Sequence, residues 1–197
     1  MTDSNDNPVR ILAFSGSARR ASYNQRLVSV AAKFAQEAEA TVTLIDLADY
    51  PLPIFNEDLE RDEGTPENAQ RLKQLFLDHN GLLIASPEYN SSLSPLLKNT
   101  IDWVSRSAAG EPAKYAFLGK TAALLAASPG ALGGLRGLVH LRSILSNISV
   151  LVLPDQFALS KAHEAFDEEN RLVDEKQTAR VAGLSRSLVE TIAKLNS

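Results

Sequence analysis

The spacing of apolar positions changes repeatedly along the chain, and the changes mark out its elements. Val9 to Phe14 is a short continuous apolar run ending in Ser15-Gly16-Ser17, which reads as a buried strand entering a loop. Leu27, Val30, Ala31, Phe34 and Ala38 then recur at helical spacing and predict an amphipathic helix from about Tyr23 to Ala38. Thr41 to Asp46 alternates as a second strand and runs into Pro51-Leu52-Pro53, whose prolines exclude a regular element. Thr65-Pro66 reads as a helix N-cap followed by proline in the first turn, with Ala69, Leu72, Leu75 and Phe76 as the apolar face. Gly81 to Ser86 is a second continuous apolar run, expected as a central strand stopped by Pro87. Further elements are expected as a helix from Ser94 to Arg106, a strand over Thr121 to Ala127 and a helix over Gly134 to Ser146. A fifth strand over Ser149 to Leu153 is closed by Pro154, and a terminal helix over Asp174 to Leu195 turns Val181, Leu184, Leu188 and Ile192 inward.

Five strands alternating with five helices predict an α/β fold with a parallel, doubly wound sheet and right-handed crossovers. A length of 197 residues suits a single domain spanning the chain, and no internal repeat interrupts it. The polar, mixed-charge stretch Ser160 to Arg171 reads as a mobile surface connection within that domain.

Composition narrows the functional classes. A net charge of -4 argues against a nucleic-acid surface, and no apolar run approaches the ~18 residues of a membrane span. The start, Met1 to Asn7, is polar and acidic, unlike a signal peptide, so a cytoplasmic location is the expectation. The absence of cysteine excludes disulfides, thiolate metal sites and thiol catalysis, leaving any redox chemistry to a bound cofactor. The three histidines, His79, His140 and His163, are scattered and suggest neither a metal site nor a catalytic set.

In an open α/β sheet, ligands bind outside the carboxyl ends of the strands. The loop after strand one, Ser15 to Asn24, leads into a helix N-terminus, where amide groups and the dipole favour a phosphate. Ser17, Ser22 and Asn24 add neutral donors, and Arg19 or Arg20 a charge; Ser22 as a simple cap with solvated arginines is an equal reading of this loop alone. It is neither a Walker A sequence nor a Gly-x-Gly-x-x-Gly fingerprint, so a single terminal phosphate fits better than a triphosphate or a dinucleotide. The loop after strand three, Pro87-Glu88-Tyr89-Asn90-Ser91-Ser92, sets a tyrosine among polar residues, and the loop after strand four, Ser128 to Arg136, carries Gly130, Gly133 and Gly134. Each loop alone also reads as an ordinary connection.

Together the three loops resemble the NADPH-dependent FMN reductase family, which includes bacterial quinone, chromate and azo-dye reductases. Gly16-Ser17-x-Arg19-x-x-Ser22-x-Asn24 is similar to that family's phosphate loop, Pro87-Glu88-Tyr89-Asn90 to its flavin loop, and Leu97-Lys98-Asn99-Thr100-Ile101-Asp102-Trp103 to the helix that follows. Leu52 to Asp58 and Gly133-Gly134-x-Arg136 extend the likeness, which spans roughly residues 9 to 157. Ser91 departs from the family's frequent glycine or larger polar residue, and Thr100 from its usual alanine.

The resemblance implies a flavodoxin-like three-layer sandwich with strand order 2-1-3-4-5. It implies that Ser15, Ser17, Arg19, Ser22 and Asn24 hold the FMN phosphate region. It also implies that Pro87, Glu88, Tyr89 and Asn90 line the isoalloxazine, largely through backbone groups, and that Ser128 and Gly130 approach from the other loop. The implied activity is NAD(P)H-dependent reduction of a small acceptor (quinone, flavin, chromate or azo compound) through FMN, in ping-pong order. A flavodoxin-type electron carrier served by a partner reductase is the alternative, and a flavin-free scaffold on the same fold ranks below both. Arg106 is either a substrate contact or a favourable charge at a helix C-terminus. Trp103 is expected in the core or an interface, and the apolar segment Leu52 to Phe55, otherwise exposed, points with the relatives' assemblies to a homodimer or homotetramer.

Overall fold

The computed structural model describes residues 8–108 and 110–197; the opening residues 1–7 lie outside the described residues. Five parallel strands form one sheet: β1 (Arg10–Ser15), β2 (Thr41–Ile45), β3 (Gly81–Ala85), β4 (Thr121–Ala127) and β5 (Leu151–Leu159). Their order is β2-β1-β3-β4-β5, a flavodoxin-like arrangement. β3 and β4 are buried at every position because helices cover both faces of the sheet. One face packs against α1 (Tyr23–Glu37) and α6 (Glu175–Asn196), through Leu27, Ala31, Val181 and Leu188. The other packs against α3 (Glu67–Asp78), α4 (Pro95–Val104) and α5 (Leu135–Asn147), through Leu72, Phe76, Leu97, Ile101, Leu138 and Leu141.

Three expectations need correction. α2 (Glu57–Glu63) is a sixth helix. It buries no residue, so it leaves no apolar period in the sequence; its Asn56 cap and acidic first turn are its signals. β5 does not stop at Pro154 but continues to Leu159. β5 lies at the sheet edge, and its pairing shifts register between Ala122 and Leu124, with Val152 and Gln156 as the flanking partners; the proline sits in that irregularity, where no ladder N–H is missed. The stretch 160–171 is no loose connection: Phe166 bridges to Leu172, Asp167 binds the Arg171 amide and guanidinium, and Ala162, Ala165 and Leu172 enter the core. A smaller shift concerns α3, whose cap position is Pro66, not Thr65.

The exposed apolar segment is also largely absorbed. Asn99 of α4 accepts the Phe55 N–H at 2.8 Å and donates to the Pro53 carbonyl at 2.9 Å, and buried Trp103 donates its Nε1–H to that carbonyl. Phe55 meets Trp103 edge-on at 4.9 Å and Leu52 packs on the core, leaving Ile54 as the exposed apolar side chain of the segment.

Candidate functional site

The carboxyl ends of β1, β3 and β4 open onto a cleft of about 340 Å³. Ser17, Arg19, Ser22, Tyr23 and Asn24 form one side, Pro87, Glu88 and Tyr89 a second, and Ala127, Ser128 and Pro129 a third. The structure therefore brings residues of all three predicted loops to one place. Ser15, Asn90 and Gly130 do not line the cleft itself. Ser15 is buried beneath the loop, where its Oγ accepts the Ser17 N–H; Asn90 is at the tip of a hairpin; and Gly130 donates its N–H to Ser128 Oγ. Tyr23, Ala127 and Pro129 complete the lining beyond the expected residues, and of these Tyr23 carries a sequence signal as the first position after the Ser22 cap.

The first loop is shaped by close packing. Gly16 donates to Ala85 of the neighbouring strand, and its carbonyl accepts the Ser94 hydroxyl at 2.5 Å. A Cβ at Gly16 would lie 2.9 Å from Leu97 Cβ, so a side chain there would push the loop off α4. Ser22 caps α1 by accepting the Gln25 N–H. The preceding N–H groups, of Tyr23 and Asn24, have no acceptor among the described residues, and they stand at the positive end of the α1 dipole. Arg19 is exposed, makes no ion pair among the described residues, and lies 5.3 Å from the centre of the Tyr23 ring. Asn24 holds the site together: its amide donates to Ala127 O at 2.9 Å and accepts Ala127 N–H at 2.8 Å, fastening α1 to the end of β4. Its second amide hydrogen and its backbone N–H face no such constraint.

The second loop is a two-stranded hairpin, Glu88–Tyr89 against Ser92–Leu93. Its two central residues, Asn90 and Ser91, have φ of 51° and 66°, as a type I′ turn requires. Tyr89 is half exposed and lines the cleft. The Glu88 side chain turns into the start of α5, where it accepts the N–H groups of Arg136 and Gly137 and pairs with the Arg136 guanidinium. Burial alone raises this carboxyl; the Gly137 N–H and Arg136 outweigh it and hold it below the usual glutamate range.

Among the described residues no group of three potential metal ligands exists. His79 is buried, with Nδ1 against Leu75 O and Nε2 against Thr43 Oγ1, and His140 meets Ser92 Oγ; both are structural contacts. Arg106 does not line the cleft. Its Nε sits 2.9–3.0 Å from both Glu60 carboxylate oxygens and its guanidinium stacks over Phe55, so it fastens α2 to the end of α4. A larger cleft of about 610 Å³ lies between the carboxyl half of α1, residues 167–173 and Thr178 of α6, and shares no lining residue with the first.

A flavodoxin-like sheet with an anion cradle and an aromatic wall at its carboxyl edge defines the class of a nucleotide-type cofactor binder. The model of the NADPH-dependent FMN reductase family matches residues 9–164, and the chain belongs to that family. It is 38% identical over 173 residues to an NAD(P)H-dependent FMN reductase of Pseudomonas aeruginosa, covering 85% of this chain and 86% of the relative. It is 33% identical over 183 residues to the NADPH:quinone oxidoreductase of Arabidopsis thaliana, covering 91% and 90%. Among solved structures, the flavoenzyme NAD(P)H:(acceptor) oxidoreductase of Paracoccus denitrificans superposes with a TM-score of 0.80 at 28% identity, over 94% of this chain and 98% of that one.

Membership makes the protein an oxidoreductase with FMN as cofactor and NAD(P)H as electron donor. The cleft suits that cofactor. Among the described residues one side has amides without an acceptor and an arginine without an ion pair, the one lining carboxylate is already neutralised by Arg136, and an aromatic side chain is present that a flat ring could stack on.

Proposed function

We propose that FMN binds with its phosphate at Ser17, Arg19, Ser22 and Asn24 and its ring between the 87–90 hairpin and the 128–130 loop, and that the chain passes electrons from NAD(P)H to a small quinone-type acceptor. The observation that carries this reading is the convergence on one cleft of a helix N-terminus with amides open among the described residues, the exposed Arg19 and the half-exposed Tyr89. Bound there, FMN supplies the hydride and electron transfer, so the protein's own groups need only bind, orient and leave one ring face accessible. One accessible face serves the nicotinamide and the acceptor in turn, which makes the kinetics ping-pong. Relatives named for quinone substrates, among them a 2-hydroxy-1,4-benzoquinone reductase of Burkholderia, support the acceptor class. The exposed apolar side chains Ile54, Leu132, Leu135 and Val139 support a homodimer or homotetramer, which size-exclusion chromatography at low micromolar protein would reveal.

The test is spectroscopic and kinetic. Protein loaded with FMN should bleach on anaerobic addition of NADPH or NADH and regain its colour with a benzoquinone. Initial-rate plots against both substrates should give parallel lines. Bound FMN that neither nucleotide bleaches would identify an electron carrier instead, and intersecting lines would remove the ping-pong order.

A further inference from the structure

Among the described residues lining the cleft, Glu88 is the one carboxylate, and it spends its charge on the protein. Its side chain is 9% exposed. Oε2 accepts the Arg136 N–H at 3.0 Å and the Gly137 N–H at 3.2 Å, while Oε1 accepts Arg136 Nε at 2.9 Å and Nη2 at 2.7 Å. α5 begins after Gly134, which has φ of 92° and no side chain to cap the helix, so a residue 48 positions away completes its N-terminus. The hairpin and the helix are in backbone contact: a Cβ on Gly137 would lie 3.1 Å from Ser92 O and 3.4 Å from Glu88 Cβ. A second tie, His140 Nδ1 to Ser92 Oγ at 3.0 Å, closes the other strand of the hairpin onto α5.

Successive residues of a strand point to opposite sides. Anchoring Glu88 in α5 therefore directs its neighbour Tyr89 toward the cleft and sets the spacing between the two loops expected to face the flavin. We propose that Glu88 is a positioning residue for FMN, acting through the backbone of the 87–90 loop without touching the phosphate. This rests on the FMN reading above. It concerns the fit of the ring, whereas Arg19 concerns the phosphate.

The experiment compares wild type, Glu88→Ala, Glu88→Gln and Arg136→Ala in three readouts: FMN affinity by flavin fluorescence, amide exchange at residues 136 and 137 in FMN-free protein, and melting temperature. Glu88→Ala should weaken FMN binding by roughly ten- to a hundredfold and speed exchange at both amides. Glu88→Gln keeps an acceptor for the amides and should recover most of the affinity. Arg136→Ala removes a largely exposed guanidinium, keeps both backbone bonds, and should stay within about threefold of wild type. A folded Glu88→Ala protein with a lower melting temperature but FMN affinity within about twofold of wild type would overturn the proposal, since a cap that only holds the helix gives that result. If Glu88→Ala does not fold, Glu88→Asp decides. One methylene shorter, it must drag the hairpin to reach the amides, so wild-type affinity in a folded aspartate variant would overturn the proposal equally. Wild-type protein that binds no FMN would overturn the FMN reading itself, and that result is known before any variant is compared.

Discussion

Two helices begin beside the same cleft, and the chain treats their N-termini in opposite ways. α1 is capped by its own Ser22 and, among the described residues, leaves the Tyr23 and Asn24 amides without an acceptor and Arg19 without an ion pair. α5 begins at a glycine that can cap nothing and fills its N-terminus with Glu88 from a distant loop. The same backbone dipole is available at both. The difference teaches that a carboxylate from a distant loop can fill a helix N-terminus that would otherwise be open to an external anion. On the proposed reading it also separates roles within the site: the α1 end would bind the cofactor and the α5 end would hold the binding loops in place.

The sharpest way to break the held end is at Gly133, which has φ of 62° and lies where an added Cβ would come within 2.7 Å of the Leu159 and Ser160 backbone. Backbone cannot swing aside as a side chain can. Gly133→Ala should destabilise the protein by about 3 kcal/mol or more, combining left-handed strain with overlap. Urea unfolding would measure it, and a loss under 1 kcal/mol would show that the loop is free to move.

At the open end the expected signature is inverted. Arg19→Ala should leave stability unchanged within ~0.5 kcal/mol, because the side chain is exposed and in no ion pair among the described residues. It should weaken FMN binding by about 1.5–3 kcal/mol, roughly ten- to a hundredfold, through loss of a charge-assisted contact. Unchanged affinity in an FMN titration would remove Arg19 from the site.

pH separates the two ends again. The Glu88 carboxyl is held below its ordinary value of 4.5 because the Gly137 N–H and Arg136 outweigh the opposing effect of burial. A folded-state value below the unfolded one means the contribution is complete above about pH 4.5 and disappears as pH falls through the folded value. Glu88→Gln should therefore be less stable than wild type by about 1–2 kcal/mol at neutral pH, with the gap closing in acid. A gap that persisted unchanged at low pH would mean that the charge of Glu88 is not what α5 requires.

Much of this was legible in the sequence, for physical reasons that particular residues make plain. β1, β3 and β4 announced themselves because a strand covered on both faces is apolar throughout. The loop from Ser15 to Asn24 pointed to one wall of the cleft because Ser22 and the helix onset are local features. What the Glu88 side chain does was not legible. Its partners are 48 and 49 positions away, and no local period or cap signal links a hairpin to a helix with α4 and β4 in between. α2 was hidden for a different reason: an exposed helix with no buried residue has no apolar face to betray it. β5 beyond Pro154 was hidden because proline is forbidden only in the interior of a sheet, and strand order cannot be read from one strand's residues.

The smallest effect concerns Ser91, the departure from the family's frequent glycine. Its φ of 66° places an L side chain in the left-handed region at the second central position of the hairpin turn, where Asn-Gly is the favoured pair. Asn90 tolerates its own φ of 51° because a short amide side chain is among those that enter this region most readily; serine has less compensation. Ser91→Gly should stabilise the hairpin by about 0.5–1 kcal/mol, partly offset by the greater freedom glycine gives the unfolded chain. The gain should appear as a higher melting temperature without a change in FMN affinity, since Ser91 lies at the hairpin tip and does not line the cleft. If the glycine variant instead bound FMN more tightly, the turn would be setting the position of Tyr89, and the held end of the site would extend from Glu88 to the tip of its loop.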